Sequence, residues 1–392
     1  MLSMKLILGK PLIQKLILFS ILLIPVFNIG EIVAFFVGSV VRDSPKLATP
    51  PYIKLIKDFI LISIILISGI EIILKKKTNK IFLLLLPILA TLFISILINS
   101  NGLVILLAGI KWILPIVLIF FLLNKVDLQF LSKIASTLYI VFLIHLGIQI
   151  MQFFFMPTFY GVSYLGHSAR NPGIFAMPST ASFLAVLLVF FNFIYSEANK
   201  KKLVILSTLS IILTGSGTGV AAMLLFYLFY FIPKRFYNLL YFLLPFLGFL
   251  FPFLIILISG RSDVFSESGM VRVNLFMKIL AEAKLFSTNF GMATNNASLL
   301  LDQTGGEANL ISTDSAISMI LANFGLGPFF IFLFFYFSWM GVVFYNKNKE
   351  LICFSLIFSL FAFTTSLTES FPGNLLFAVL FAFYSPRVIK FS

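Results

Sequence analysis

Three arginines, Arg170, Arg261 and Arg272, stand in stretches otherwise poor in charge. A guanidinium is permanently charged and presents a planar fork of donors that matches phosphate oxygens, so converging arginines make an anion site that needs no metal. Two of them lie in residues 260–314, a long run too polar for a membrane interior that also carries Lys278 and Lys284. Within it, residues 269–286 predict an amphipathic helix with Leu275, Phe276, Ile279, Ala283 and Phe286 along one side and Ser268 as N-cap. Arg272 then falls in the first turn, where a cation opposes the helix dipole by roughly 0.3–1 kcal/mol. That cost is offset if an anion sits between the arginine and the helix end. On the plainer reading Arg272 meets lipid headgroups, and Lys278 and Lys284 are solvated or headgroup-facing.

The rest of the chain is the scaffold for these groups. Of 392 residues, 60% are hydrophobic, 50 are phenylalanine and only 11% are charged, against about 25% charged in soluble proteins. This composition predicts an all-α polytopic membrane protein, one transmembrane domain over residues 1–392. Apolar runs of roughly spanning length fall at about 16–37, 55–74, 81–98, 103–123, 131–155, 176–195, 238–259, 315–343 and 350–367, with a shorter one at 375–385. The first resembles a signal peptide but is too long for one and has no small-x-small cleavage pattern, so it reads as an uncleaved span. Residues 203–232 are interrupted by Gly215, Ser216, Gly217, Thr218 and Gly219 and have basic clusters at both ends, which predicts two short helices joined at that break. The sum is about 12 transmembrane helices.

The net charge of +14 sits mostly in short Lys and Arg clusters beside apolar runs, where it orients helices and implies no nucleic-acid partner. With twelve spans the clusters at 5–15, 75–80, 125–133, 200–202, 234–235, 347–349 and 387–390 share one side, which is therefore cytoplasmic. Both termini are then inside (N-in/C-in), and 260–313 is a large loop on the other face. Arg42, Lys46 and Lys54 are an exception on that outer face. Cys353 is the single cysteine and lies in an apolar run, so neither a disulfide framework nor a zinc pattern exists.

Several stretches resemble the O-antigen polymerase and ligase family. Arg170, Gly173, Phe175 and Pro178 are similar to its R-x-x-G-x-F-x-x-P segment, in which a loop arginine precedes the next span. Leu213, Thr214, Ser216 and Gly219 resemble its L-T-x-S-R-x-G break, with Gly217 where many members carry arginine. Ser268-Gly269 with Arg272, followed by Phe290-Gly291, resembles the family's large external loop. Asp314-Ser315 with Gly325 and Gly327 resembles the stretch that re-enters the membrane, Asp314 standing in place of the ligases' histidine. The likeness covers about residues 165–345; the first third matches only in hydropathy.

The resemblance implies a GT-C-like membrane glycosyltransferase bundle in a bacterial inner membrane, with its active site facing the periplasm. As an O-antigen polymerase it would join lipid-linked repeat units, taking an undecaprenyl-pyrophosphate-linked glycan as donor and another as acceptor. Membrane lipids and a chain-length regulator protein are the further partners implied, and no cofactor or metal. Pyrophosphate is already a good leaving group, so preorganised arginines suffice to hold its developing charge. Arg170, Arg272 and Arg261 are the expected pyrophosphate ligands. A base for the acceptor hydroxyl is expected at Asp314, with His167 second. Asp314 also suits an N-cap, His167 an inert loop position, and the 215–219 glycines close helix packing. Two alternatives stand beside the polymerase. One is a ligase transferring the glycan to a lipid A core. The other is a lipid-linked glycan flippase using Glu31, Asp58, Lys111 and His145, all within expected spans, as a proton relay.

Overall fold

A computed structural model describes residues 9–37, 49–75, 85–99, 102–155, 170–175, 177–196, 199–236, 270–294, 315–365 and 369–388. Among these the regular structure is helical, without strands. In chain order the helices are α1 (Lys10–Leu22), α2 (Ile24–Phe27), α3 (Ile29–Phe36), α4 (Pro51–Lys75), α5 (Leu85–Leu97), α6 (Leu103–Leu122), α7 (Leu128–Phe155) and α8 (Pro178–Tyr195). There follow α9 (Lys200–Thr214), α10 (Gly217–Phe231), α11 (Met270–Glu282), α12 (Ala316–Phe324), α13 (Leu326–Tyr345), α14 (Lys349–Thr364) and α15 (Gly373–Val388). Four of them, most of α6 together with α7, α8 and α13, are long and apolar enough to cross a membrane. The chain divides into two compact units, residues 1–77, 121–227 and 371–383, and residues 78–120, 228–370 and 384–392.

In the first unit α8 packs against both α7 and α9. It is apolar nearly all round, and 83% of it is buried, the usual fate of a helix with no polar face. Asn192 ties it to α7 by donating to Ala135 O at 3.3 Å. In the second unit α13 is just as apolar yet only 17% buried, and Phe330, Phe334 and Phe337 point outward. Such a surface suits hydrocarbon and not water.

Two expected single spans are broken. The 16–37 run divides into α1, α2 and α3 because Pro25, in the first turn of α2, has no N–H with which to continue α1. Asn28 then donates to Ile24 O at 2.8 Å and marks the second break. The 315–343 run divides at Gly325, between α12 and α13. The predicted pair of short helices in 203–232 is present as α9 and α10.

At one end of the first unit the starts of α1 and α7 meet the last turns of α4. Lys10 pairs with Asp127, Gln14 donates to Lys125 O at 2.9 Å, and Lys125 pairs with Glu71. Asp127 also caps α7 by accepting from Phe130 N at 2.8 Å. The Lys10 hydrogen bond, more than the cap, holds the Asp127 carboxyl below the usual aspartate range. Burial, and then the Lys10 charge, draw the Lys125 ammonium down.

The predicted amphipathic helix is α11. It ends at Glu282, short of the expected Phe286; its Leu275, Phe276 and Ile279, with Ala283 just beyond it, lie against Ile317, Leu321, Ala322 and Phe329, while Lys278 and Lys284 are exposed.

Candidate functional site

Helix α7 carries His145, Gln149 and Gln152 on an otherwise apolar surface. Spacings of four and three residues put all three on one face, and all are fully buried. Amides and imidazoles inside a bundle must find partners, and here the partner is the backbone of residues 171–174. Gln149 Nε2 donates to Asn171 O at 2.9 Å, and Gln152 exchanges a pair of bonds with Gly173, accepting from its N at 2.8 Å and donating to its O at 3.0 Å. Ile174 N donates to His145 Nδ1 at 3.4 Å. An acceptor at Nδ1 places the proton of the neutral ring on Nε2.

The glutamines thus do for this loop what a neighbouring strand does in a sheet, meeting backbone groups of Asn171 and Gly173 inside the unit. Gly173 makes the fit possible. Its φ of 64° is costly for other residues, and a Cβ there would run into the His145 ring. Phe175 closes the turn, donating from its N to Pro172 O at 3.2 Å and setting its ring 5.5 Å from the imidazole.

At its other end the loop docks on the break between α9 and α10. Asn171 N donates to Leu213 O at 2.9 Å in the last turn of α9. Gly215 ends α9 in the left-handed conformation, with φ 57°. A methyl group on Gly215 would sit 3.5 Å from Arg170 Cγ, so the arginine stem runs along the break, two residues before Gly217 opens α10. Ser216 fixes this start: its Oγ accepts from Gly219 N at 3.3 Å and bonds Ser182 Oγ of α8 at 3.0 Å. The Arg170 stem thus passes the turn that precedes the positive end of a fifteen-residue helix, and a cation joined to a helix N-terminus has the electrostatics of an anion site.

A second interrupted helix shows what a closed break looks like. In the other unit, residues 284–294 strap the Gly325 break: Ser287 N donates to Phe324 O at 3.0 Å, and Leu326 N and Gly327 N donate to Lys284 O and Leu285 O, each at 2.9 Å. Asn323 Oδ1 accepts from Gly291 N at 2.9 Å and Ala293 N at 3.3 Å. Carbonyls thus occupy the first N–H groups of α13. At the break before α10 the loop instead brings the stem of Arg170 against Gly215.

The structure therefore brings together two of the expected segments, Arg170 to Phe175 and Leu213 to Gly219. Of the other expected site residues, Arg272 lies in the first turn of α11 by its backbone, in the unit that does not hold Arg170, and its side chain lies outside the described residues. His167, Arg261 and Asp314 also lie outside them. Among the charges within the expected spans, Glu31 accepts from Thr49 Oγ1 at 2.7 Å and stands 3.8 Å from Lys54. His145 serves the loop. Gln149, Gln152, Ser182 and Ser210 were not singled out by sequence reasoning, although polar residues at positions 145, 149 and 152 of an apolar helix were a visible signal. Compared with models of protein families and with curated proteins, the chain matches none.

Proposed function

We propose that the protein is a membrane glycosyltransferase that polymerises undecaprenyl-pyrophosphate-linked repeat units into O-antigen or a related surface polysaccharide. The observation that carries this reading is Arg170, laid along the Gly215 break at the start of α10. A diphosphate is the anion that pairs best with a guanidinium fork and a helix N-terminus together. The two segments brought together, 170–175 and 213–219, are two of the four that resemble the family.

In the reaction the bond between the donor glycan's anomeric carbon and the pyrophosphate oxygen breaks, and one forms from that carbon to the acceptor hydroxyl oxygen. The hydroxyl proton passes to a base, Asp314 or His167 on this reading, and undecaprenyl pyrophosphate leaves with its charge held by Arg170, joined by Arg272 and Arg261. The scaffold is about twelve spans in a bacterial inner membrane, both termini cytoplasmic and the site periplasmic. The meeting of Lys10, Lys125 and Asp127 at one end of the first unit supports placing those basic clusters on one side. Asp314 in place of the ligases' histidine favours polymerase over ligase.

One observation favours a transporter: each unit holds an interrupted helix, a pattern associated with substrate sites in transporters. Complementation of a polymerase-null strain, read on a glycan ladder, separates the readings. Long chains that vanish with Arg170→Ala support the polymerase. Glycan confined to single repeat units in cells carrying the wild-type protein overturns it.

A further inference from the structure

Among the described residues, Gln149 is the side chain of α7 that bonds both the 171–174 loop and α9. Its Nε2 donates to Asn171 O at 2.9 Å and to Ser210 O at 3.4 Å, and its Oε1 accepts from Ser210 Oγ at 2.6 Å. One amide therefore grips the residue that follows Arg170 and also the helix that ends at Gly215. Gln152 and His145 hold only the far end of the loop, at Gly173 and Ile174. Gln149 and the Asn171 to Leu213 backbone bond thus both hold the residue after Arg170 against the last turns of α9, next to the start of α10.

We propose that Gln149 is a positioning residue for the anion site: it does not touch the anion but fixes where the Arg170 guanidinium stands relative to the start of α10. This rests on reading Arg170 as a pyrophosphate ligand. A fully buried primary amide is expensive unless its donors and acceptor are all used, and Gln149 uses both ends on backbone and hydroxyl groups of the two elements that form the site. Its alternative role, keeping the loop backbone satisfied, would matter equally whatever residue stood at 170.

The test is the affinity of the full-length protein in lipid nanodiscs for undecaprenyl pyrophosphate. Gln149→Met keeps the length of the side chain and deletes every hydrogen bond. It is expected to weaken binding about tenfold, the effect of losing hydrogen bonds that hold a ligand in register. In an Arg170→Lys background, where the planar fork is already gone, the same change should weaken binding by less than about twofold, because coupled residues are not additive. An unchanged affinity for Gln149→Met, or the same loss in both backgrounds, overturns the proposal. If Gln149→Met does not insert, Ser210→Ala removes one of the three bonds and carries the test. About threefold weaker binding, again reduced in the Arg170→Lys background, supports the proposal, and wild-type affinity overturns it. A wild-type protein that does not bind undecaprenyl pyrophosphate, or an Arg170→Ala variant that binds it as well as wild type, instead overturns the underlying reading of the site.

Discussion

Arg170 gains its meaning from neighbours far away in sequence. Its type and loop context already suggested an anion ligand; what holds it did not follow, because the partners of a buried loop backbone sit on another helix and leave no local pattern. The face of His145, Gln149 and Gln152 was legible as an oddity, and His145 read more readily as a rival proton relay than as an acceptor for Ile174 N. Replacing Arg170 by alanine should leave the protein inserted and lower chain elongation by about 100-fold or more, the usual cost of removing a preorganised charge-stabilising donor. Lysine should restore part of this, since it keeps the charge and loses the fork; a glycan ladder checks both. Gly173→Ala combines a left-handed φ with a collision against His145. It should destabilise by about 1–3 kcal/mol, read as a lower thermal midpoint in detergent.

At the scale of elements, most helices followed from hydropathy, and the breaks did so unevenly. The 215–219 break was visible because three glycines cluster in it. The one at Gly325 was hidden, since Gly325, Gly327 and Pro328 lie between strongly apolar flanks that hold the hydropathy average up, and Pro25 was outweighed in the same way. Two substitutions test the break between α9 and α10. Gly215→Ala meets only ordinary contact with Arg170 and should cost about 1 kcal/mol for its positive φ. Gly219→Ala places its methyl group 2.7 Å from Ser182 Oγ, and closer still to Ser182 Cβ, and should cost about 1–3 kcal/mol by overpacking. A lower thermal midpoint for Gly215→Ala than for Gly219→Ala would contradict this geometry. At the α7 start, the Asp127 carboxyl is held low by Lys10. A depressed folded-state value means that the contact stabilises above the unfolded value of about 3.9 and is lost as pH falls through the folded value. Because Asp127 is 42% exposed, the contribution is small, about 0.2–1 kcal/mol. The midpoint difference between wild type and Asp127→Asn should shrink as pH is lowered below about 4.

At the scale of the molecule, composition alone placed the chain among helical membrane proteins, and the four helices long and apolar enough to cross a membrane among the described residues agree. The full count of spans and their sides rest on charge placement. With Cys353→Ser as background, a cysteine at Lys201 should resist a membrane-impermeant maleimide in intact cells whose outer membrane has been permeabilised, and one at Gln303 should react. The reverse pattern would invert the orientation. The expectation that Arg261 and Arg272 join Arg170 rests on the family resemblance alone, because the placing of loops depends on packing that residue order does not spell out. The most direct measurement is elongation by purified protein supplied with lipid-linked oligosaccharide extracted from its own host, compared between wild type and Arg170→Ala. The expected result is polymer from the wild type and a rate lower by about 100-fold from the variant; equal rates would contradict the claim that a guanidinium at the α10 break holds the departing diphosphate.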